Sequence, residues 1–312
     1  MYNHRSPLIR TVGVVLSSAV LVQIGLVAWG RHHAPAPASQ VAVAAGPVLP
    51  ARDTKSATRL GPAMTRIGYK LNAVADGAEV PRLLLHSMPS NMADVTNLSR
   101  RKAVFLRVML PLVLKVDEAV AAKRARLKDI ASAIRTGEPL SNEDMGWLGT
   151  LAENYNVPWN GTANMQVVRR LLYRVDVVPP SLALAQAAME TGWGTSLRAR
   201  VYHNVFGLTF AADNGKEAVL ASFPNLLAAV RFYVHTLNTH PAYAAFRRIR
   251  AEARARGGHL NGERLALALE AYSEIGRTYV HDIRTLIRQN DLTRFEHAQL
   301  SKPDDETAGG QI

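Results

Sequence analysis

Residues 179–207 read PPSLALAQAAMETGWGTSLRARVYHNVFG, and this stretch decides the fold because it predicts a buried helix. Pro179 and Pro180 suit the first turn of a helix, and the sequence from Ser181 onward is almost wholly apolar for about three turns. The helix should end at TGWG, residues 191–194, where the glycines permit a sharp change of direction. A helix that is apolar on every side is expected to lie inside a protein core.

Glu190 is the single acid of this helix and stands in its last turn. Burial disfavours the charged form of a carboxyl group, and the negative end of the helix dipole raises its pKa further. A carboxyl that keeps its proton near neutral pH is what a general acid requires. Glu190 is therefore the candidate catalytic acid, and a glycan-cleaving enzyme is the class of protein that this segment favours.

Helices are also predicted before this segment. A long apolar-periodic stretch runs over about residues 98–110, Pro111 is expected to kink or restart it, and a basic amphipathic helix follows over about 112–135. A capping-box pattern at residues 141–144 opens the next helix. Thr162 is expected to cap the helix after that one.

Strand material is confined to residues 205–223, where FGLTF and AVLASF flank a turn at Asp213 to Gly215. Helices resume over about residues 225–289. The predicted fold class is therefore mainly α, a helical body with a small β-hairpin lobe beside Glu190. A cleft between two such lobes is suited to an extended polymer.

The composition of the 312-residue chain excludes some kinds of chemistry and indicates the charge of its partners. It has no cysteine, which excludes disulfides and thiolate metal or redox chemistry. With 37 basic and 25 acidic residues, the net charge of +12 predicts an anionic partner, such as cell-wall polymer or acidic lipid. Nucleic acid is not expected as a partner, because the basic residues are scattered along helices with no recognisable binding motif. His203, His235 and His240 lack the spacing of zinc ligands, so no metal is expected.

The N-terminal sequence predicts a membrane-spanning segment. Residues 11–30 carry no charge, follow Arg5 and Arg10, and are long enough to span a bilayer. We expect an uncleaved anchor in the inner membrane of the cell, single-pass, with the body in the periplasm. The alternative is export followed by signal cleavage, for which Ala36 to Ala38 resembles a cleavage site.

A Pro/Ala-rich tract after the apolar segment is interpreted as a tether. The chain is accordingly divided into five parts. They are a cytoplasmic tip and transmembrane segment over 1–31, a flexible linker over 32–80, a helical N-terminal subdomain over 81–175, a catalytic domain over 176–298 and a disordered tail over 299–312.

Three motifs resemble the signatures of the bacterial glucosaminidase family: METGWGTS at 189–196, HNVFG at 203–207 and YSEIGRTY at 272–279. The resemblance is closest to the Bax-type branch of that family, through LNTHPAY at 237–243 and YVHDIRTLIRQNDLTRF at 279–295. It is specific over about residues 179–295, looser over 98–178, and does not reach the first 80 residues.

The resemblance implies a lysozyme-like α+β fold and the hydrolysis of peptidoglycan glycan strands without a metal or nucleotide cofactor. The bond cut would be the β-1,4 bond between N-acetylglucosamine and N-acetylmuramic acid. The family's general acid falls on Glu190, and its motif tyrosine falls on Tyr272, with Tyr279 as a second candidate for positioning the sugar.

Glycoside hydrolysis normally needs a second group beside the acid. The resemblance assigns it to the β-lobe, which offers Asp213 and Glu217. Glu217 is the candidate, because Asp213 is explained as a turn former. If the lobe lacks a base, the acetamido group of the substrate could act as the nucleophile instead.

Three more residues are candidates for substrate binding, each with a structural alternative. Trp193 could stack on a sugar ring or close the end of the helix as part of the core. Asn204 could bond the substrate or tie down the turn into the hairpin. Phe206 could contact the substrate or lie in the core.

Two other functions stay open at this stage. A lytic transglycosylase would use the same single acid on the same strand but leave an anhydro-sugar end. A non-catalytic cell-wall-binding scaffold would retain the cleft without the chemistry. Protein partners are not indicated by any motif.

Overall fold

A computed structural model describes residues 49–211 and 218–303, and these form a mainly helical body with one small hairpin, as the sequence predicts. The α-helices of the described residues, α1 to α12 in chain order, are Ala51–Thr54, Ala57–Arg66, Leu71–Ala75, Leu98–Thr136, Asn142–Asn154, Met165–Arg174, Pro180–Thr191, Leu197–Val201, Leu226–Thr239, Ala244–Ala255, Gly262–Ala266 and Arg277–Gln289. Short 3-10 helices cover Met92–Asp94, Pro241–Tyr243, Glu270–Tyr272 and Leu292–Phe295. Strands β1 (Thr209–Ala211) and β2 (Ala218–Leu220) pair antiparallel, with Phe210 opposite Val219.

The longest helix, α4, runs through Pro111 without restarting, so the predicted restart at this proline is wrong. Asn97 caps its N-terminus by accepting a hydrogen bond from the Arg100 amide, and Gly137 ends it in the left-handed conformation. The residues on both sides of Pro111 are fully buried, and α4 packs against α2, α6, α7 and α9. This packing offsets the hydrogen bond that proline cannot donate.

Helix α7 is the central element, and its residues 180–188 are all buried, as its apolar sequence predicts. It packs against α4, α11, α12 and the 3-10 turn Leu292–Phe295. Its first turn is held by Glu296, which accepts hydrogen bonds from Ser181 Oγ at 2.6 Å and from the Gly262 amide at 2.7 Å. The position of the acid at the other end of α7 is therefore fixed by the core.

One hydrophobic core joins the two regions that the sequence divides at residue 175. The long helix of the first region packs on α7 and α9 of the second, so the two regions share a core. The predicted boundary between 81–175 and 176–298 therefore does not separate two cores.

The predicted linker over 32–80 requires correction, because its described part is folded onto the body. Leu60 and Met64 of α2 are fully buried, and α2 packs against α4. Val80 forms a parallel bridge with Leu300, and the Val80 amide donates to the carbonyl of Gln299 at 2.7 Å. Buried apolar side chains account for the folding of this segment. The bridge also shows that residues 299–301 of the predicted tail are docked.

Residues 1–48, 212–217 and 304–312 lie outside the described part of the chain. The predicted membrane segment at 11–30 falls there, as does the remainder of the predicted tail. Within 49–211 and 218–303, no helix is both long enough and apolar enough to cross a bilayer.

Two predicted helix starts can be compared with the structure. Ser141 caps α5 by accepting a hydrogen bond from the Asp144 amide, which confirms the predicted capping box. The cap of α6 is Asn164 rather than Thr162, since its side chain accepts from the amides of Gln166 and Val167. The predicted hairpin is confirmed by the pairing of β1 with β2.

Candidate active site

The acid-bearing helix ends in a sharp left-handed turn directly after Glu190. Gly192, Trp193 and Gly194 have φ angles of 57°, 60° and 82°. Only glycine adopts this conformation readily, and glycine occupies two of the three positions. The turn stops α7 and leaves Glu190 partly exposed at the end of an otherwise buried helix.

The carboxyl group of Glu190 lies against the backbone of Gly207. A Cβ at position 207 would stand 2.5 Å from Glu190 Oε2 and 3.2 Å from its carboxyl carbon. Gly207 also has a φ of 66°, which disfavours any other residue. The glycine that ends the HNVFG motif therefore provides the space that the acid occupies.

Burial raises the pKa of Glu190 from 4.5 to about 7, which confirms the predicted direction. The positive charge of Arg198 and a hydrogen bond with Tyr279 both act to lower the pKa, and burial outweighs them. At neutral pH roughly half of the molecules hold the proton. Glu190 can therefore donate a proton at neutral pH.

A buried chain of hydrogen bonds leads from the core to the acid. The Tyr233 hydroxyl donates to Gln186 Oε1 at 2.6 Å, and Gln186 Nε2 donates to the Tyr279 hydroxyl at 2.8 Å. Because the Tyr279 oxygen already accepts from Gln186, its own proton is directed to Glu190, with which it bonds. Gln186, Tyr233 and Tyr279 thus fix the orientation of the carboxyl group.

Tyr272 lies beneath this network and is 1% exposed. Its hydroxyl donates to the Phe206 carbonyl at 2.8 Å, and its ring stacks on Tyr279 with centroids 5.4 Å apart. In this position Tyr272 holds the backbone just before Gly207 and supports Tyr279. Of the two tyrosines predicted for the site, the structure brings Tyr279 to the acid and buries Tyr272 behind it.

Asn204 and Phe206 are both buried and serve the turn and the core. Asn204 donates to the carbonyls of Leu208 and Ala221 and accepts from the Leu208 amide, which uses every hydrogen-bonding group of its amide but one lone pair. Phe206 stacks face to face on Tyr233, with centroids 3.9 Å apart. Of the alternatives that the sequence offers for these two residues, the structure gives the tie at the turn for Asn204 and the core for Phe206. A contact of either side chain with the substrate stays a prediction.

Trp193 is partly exposed next to the acid. Its ring meets Phe105 edge to face at 5.6 Å, and Lys102 Nζ stands 4.9 Å from its centroid. Trp193 is therefore anchored on the core and retains exposed surface, so its contact with a sugar ring stays a prediction.

Glu217, the predicted second acid, and Asp213 lie in the segment 212–217 and so outside the described residues. The structure describes the strands on either side of this segment, and the residues that adjoin those strands, Leu208 and Ala221, are tied to Asn204. In the described part of the chain, no group of three or more histidine, aspartate or glutamate side chains is arranged to hold a metal ion.

Four residues of the site were not predicted from the sequence: Gln186, Arg198, Gly207 and Tyr233. Gln186 carried a usable signal, since it stands four positions before Glu190 and therefore on the same face of an otherwise apolar helix. Tyr233 gave no local signal, because only the tertiary fold brings it to Gln186.

Comparison with known proteins places this arrangement in a family. Residues 166–292 match the family Glucosaminidase, described as mannosyl-glycoprotein endo-beta-N-acetylglucosaminidase. The chain is 32% identical over 202 residues to Protein bax of Escherichia coli (strain K12), across 63% of this chain and 72% of that protein. No solved structure matches the chain significantly. The family match contains α7, the hairpin and most of the C-terminal helices, and hence Gln186, Arg198, Gly207 and Tyr279.

Proposed function

Because this chain belongs to the glucosaminidase family and, within it, to the Bax-type branch, we propose that it hydrolyses the glycan strands of peptidoglycan. The bond cut is the β-1,4 bond between N-acetylglucosamine and N-acetylmuramic acid. The observation that carries the proposal is Glu190, a partly exposed carboxyl at the end of a buried helix with a pKa raised to about 7. This is the protonation behaviour that a general acid requires.

In the proposed reaction Glu190 gives its proton to the bridging oxygen as the bond to the anomeric carbon of N-acetylglucosamine breaks. The oxygen leaves as the hydroxyl of N-acetylmuramic acid, and the anomeric carbon takes a hydroxyl group from water. Tyr279 keeps the carboxyl in place during this transfer, because its hydroxyl is oriented by Gln186. Burial lets Glu190 hold its proton until the leaving oxygen develops charge.

Glu217 is proposed as the second group, a carboxylate that accepts a proton from the attacking water. The hairpin that carries it begins immediately after the turn tied by Asn204, which is also the turn that packs under Glu190. Alternatively, the acetamido group of the substrate attacks the anomeric carbon, and water then opens the resulting ring. Loss of Glu217 separates these routes, since only the first depends on its carboxylate.

The test of the function is product analysis. Purified sacculi are digested with the full chain, and the soluble products are identified by mass spectrometry after borohydride reduction. New reducing ends on N-acetylglucosamine would support the hydrolase. Ends of 1,6-anhydromuramic acid would instead assign a lytic transglycosylase, and the absence of products from a folded protein that sediments with sacculi would assign a wall-binding scaffold.

We further propose that residues 11–30 anchor the chain in the inner membrane, with the body in the periplasm where the polymer lies. The support is the uncharged length of this segment and the basic residues before it. The mass of the mature protein tests this proposal, because signal cleavage would remove the segment and release the body into the soluble periplasmic fraction.

A further inference from the structure

A cavity of about 510 Å³ lies between helices α6 and α10, away from Glu190, and its charged lining is entirely basic. We call it the basic pocket, and its polar lining consists of Arg169, Arg170, Tyr173, Arg174 and Arg247. The Tyr173 hydroxyl donates to the Ala244 carbonyl at 3.2 Å, which ties the two arginine-bearing helices together. The four guanidinium groups are therefore held around one space.

No carboxylate balances these charges within the described residues. None of the four arginines forms an ion pair with any aspartate or glutamate that the structure describes. Arg174 donates to the Tyr155 carbonyl at 2.6 Å, and Arg247 donates to the carbonyls of Leu237 and His240. Neutral carbonyl groups orient these side chains but leave their charge uncompensated.

Arg247 is the most deeply buried arginine of the pocket. It is 4% exposed, and its Nε atom is buried without a hydrogen-bond partner in the described part of the chain. Burial, together with the neighbouring charge of Arg174, lowers its pKa to about 10. Burial and the charge of Arg170 likewise lower the pKa of Arg174. Arg170 therefore disfavours the charge of Arg174, and Arg174 disfavours the charge of Arg247.

We propose that the basic pocket binds a phosphate group. A doubly charged oxyanion with several acceptor oxygens matches several guanidinium forks better than a singly charged carboxylate does. The group would relieve the repulsion among the arginines. The group belongs either to a soluble phosphate ester or to a lipid headgroup, since both present the same oxygens.

The pocket is separate from the catalytic site. None of the residues that line the pocket belongs to the hairpin beside Glu190, and none contributes to the shifted pKa of that acid. Binding at the basic pocket is therefore expected to leave the pKa of Glu190 unchanged.

The test uses inorganic phosphate and the full chain, with thermal unfolding measured at constant ionic strength. The wild-type Tm should rise with phosphate and saturate, because a ligand of the folded state stabilises it. The double variant Arg169→Gln/Arg170→Gln should weaken the apparent affinity by about tenfold or more. Both side chains are exposed and lie on a helix that tolerates glutamine, so folding is preserved.

The matched control is Arg59→Gln/Arg100→Gln, which removes the same charge from two exposed helical positions outside the pocket. It should keep the wild-type affinity. The proposal fails if phosphate gives no saturable stabilisation beyond chloride, or if the two double variants bind phosphate equally well.

A flotation assay distinguishes the two sources of the phosphate group. Vesicles of phosphatidylcholine are compared with vesicles that also contain phosphatidic acid. If Arg169→Gln/Arg170→Gln loses binding to the acidic vesicles and the control does not, the ligand is a lipid headgroup. If only the binding of inorganic phosphate depends on these arginines, the ligand is a soluble phosphate ester.

Discussion

The carboxyl group of Glu190 occupies the space where a side chain at Gly207 would begin. A Cβ at position 207 would stand 2.5 Å from Glu190 Oε2, closer than two such atoms can approach. The two residues come from different motifs of the sequence, one at the end of α7 and the other just before the hairpin. Their contact fixes the acid relative to the hairpin that follows Gly207.

Gly207→Ala should therefore lower activity much more than its effect on stability explains. The alanine methyl group displaces the carboxyl, and a misplaced catalytic group costs about a hundredfold in rate. The control is Gly257→Ala, because Gly257 has the same φ of 66° and no atom within 4 Å of the added Cβ. Both variants should lose about 1 kcal/mol of stability from the left-handed backbone. Equal activity of the two variants would show that the contact with Glu190 does not matter.

Glu190→Gln should reduce turnover of sacculi at least about a hundredfold, since the amide cannot donate the proton. The shape of the side chain is kept, so sedimentation of the variant with sacculi should be unchanged. Glu153→Gln, an exposed change on α5, serves as the control and should retain full activity. Turnover of the Glu190 variant at the wild-type rate would contradict the assignment of the acid.

The rate should fall as the pH rises through about 7, the pKa of Glu190, because the acid must carry its proton to act. Above this value the protonated fraction decreases about tenfold for each pH unit. Release of soluble fragments from dye-labelled sacculi measures this profile. A rate that stays constant from pH 7 to about pH 9 would exclude Glu190 as the proton donor.

The same pKa predicts how stability depends on pH. Below pH 4.5 the carboxyl is protonated in both the folded and the unfolded chain, so it does not change the free energy of unfolding. Between 4.5 and about 7 the unfolded chain releases the proton and the folded chain keeps it, so stability falls as the pH rises. The total loss is roughly 3 kcal/mol and is fully present above pH 7.

Glu190→Gln has no titrating carboxyl at this position and so avoids this loss. Its free energy of unfolding relative to that of the wild type should therefore rise by roughly 3 kcal/mol from acidic to alkaline pH. Urea denaturation of both proteins at two pH values measures the difference. Glu153→Gln is again the control. A constant difference between Glu190→Gln and the wild type would mean that burial does not raise the pKa.

Tyr279→Phe should move the alkaline limit of activity to higher pH, because the hydrogen bond from Tyr279 lowers the pKa of Glu190. It should also cost about 1–3 kcal/mol of stability, since Gln186 Nε2 loses its buried acceptor. Tyr272→Phe is the control: it removes a buried hydroxyl that bonds the Phe206 carbonyl instead. If both variants shift the pH profile equally, Tyr279 has no special role beside the acid.

The sequence predicts the helix that carries Glu190 because every signal there is local. Proline at the start, a glycine turn at the end and an apolar run between them specify a buried helix without reference to other segments. The raised pKa follows from that burial. The prediction of the acid is therefore independent of the way in which the remaining helices pack.

The residues around Glu190 could not be predicted from the sequence, because tertiary contacts bring them together. Tyr233 reaches Gln186 from another helix, and nothing near Tyr233 in the chain indicates it. For Asn204 and Phe206 the sequence left a structural and a substrate-binding role open, and only the tertiary fold shows their contacts with the turn and the core. The segment expected as a linker folds because Leu60 and Met64 pack on α4, and their spacing of four positions is a helical signal that the linker prediction overlooked.

Glu296 holds the first turn of α7, although it follows Ser181 in the chain by 115 positions. A ribosome makes the two in that order, so a helix that is buried over residues 180–188 emerges long before the residue that secures its first turn. Until then part of α7 is uncovered, and such surfaces favour association with other chains. Because burial raises the pKa of Glu190, the newly made chain gains its proton donor only after the segments that bury α7 have been made.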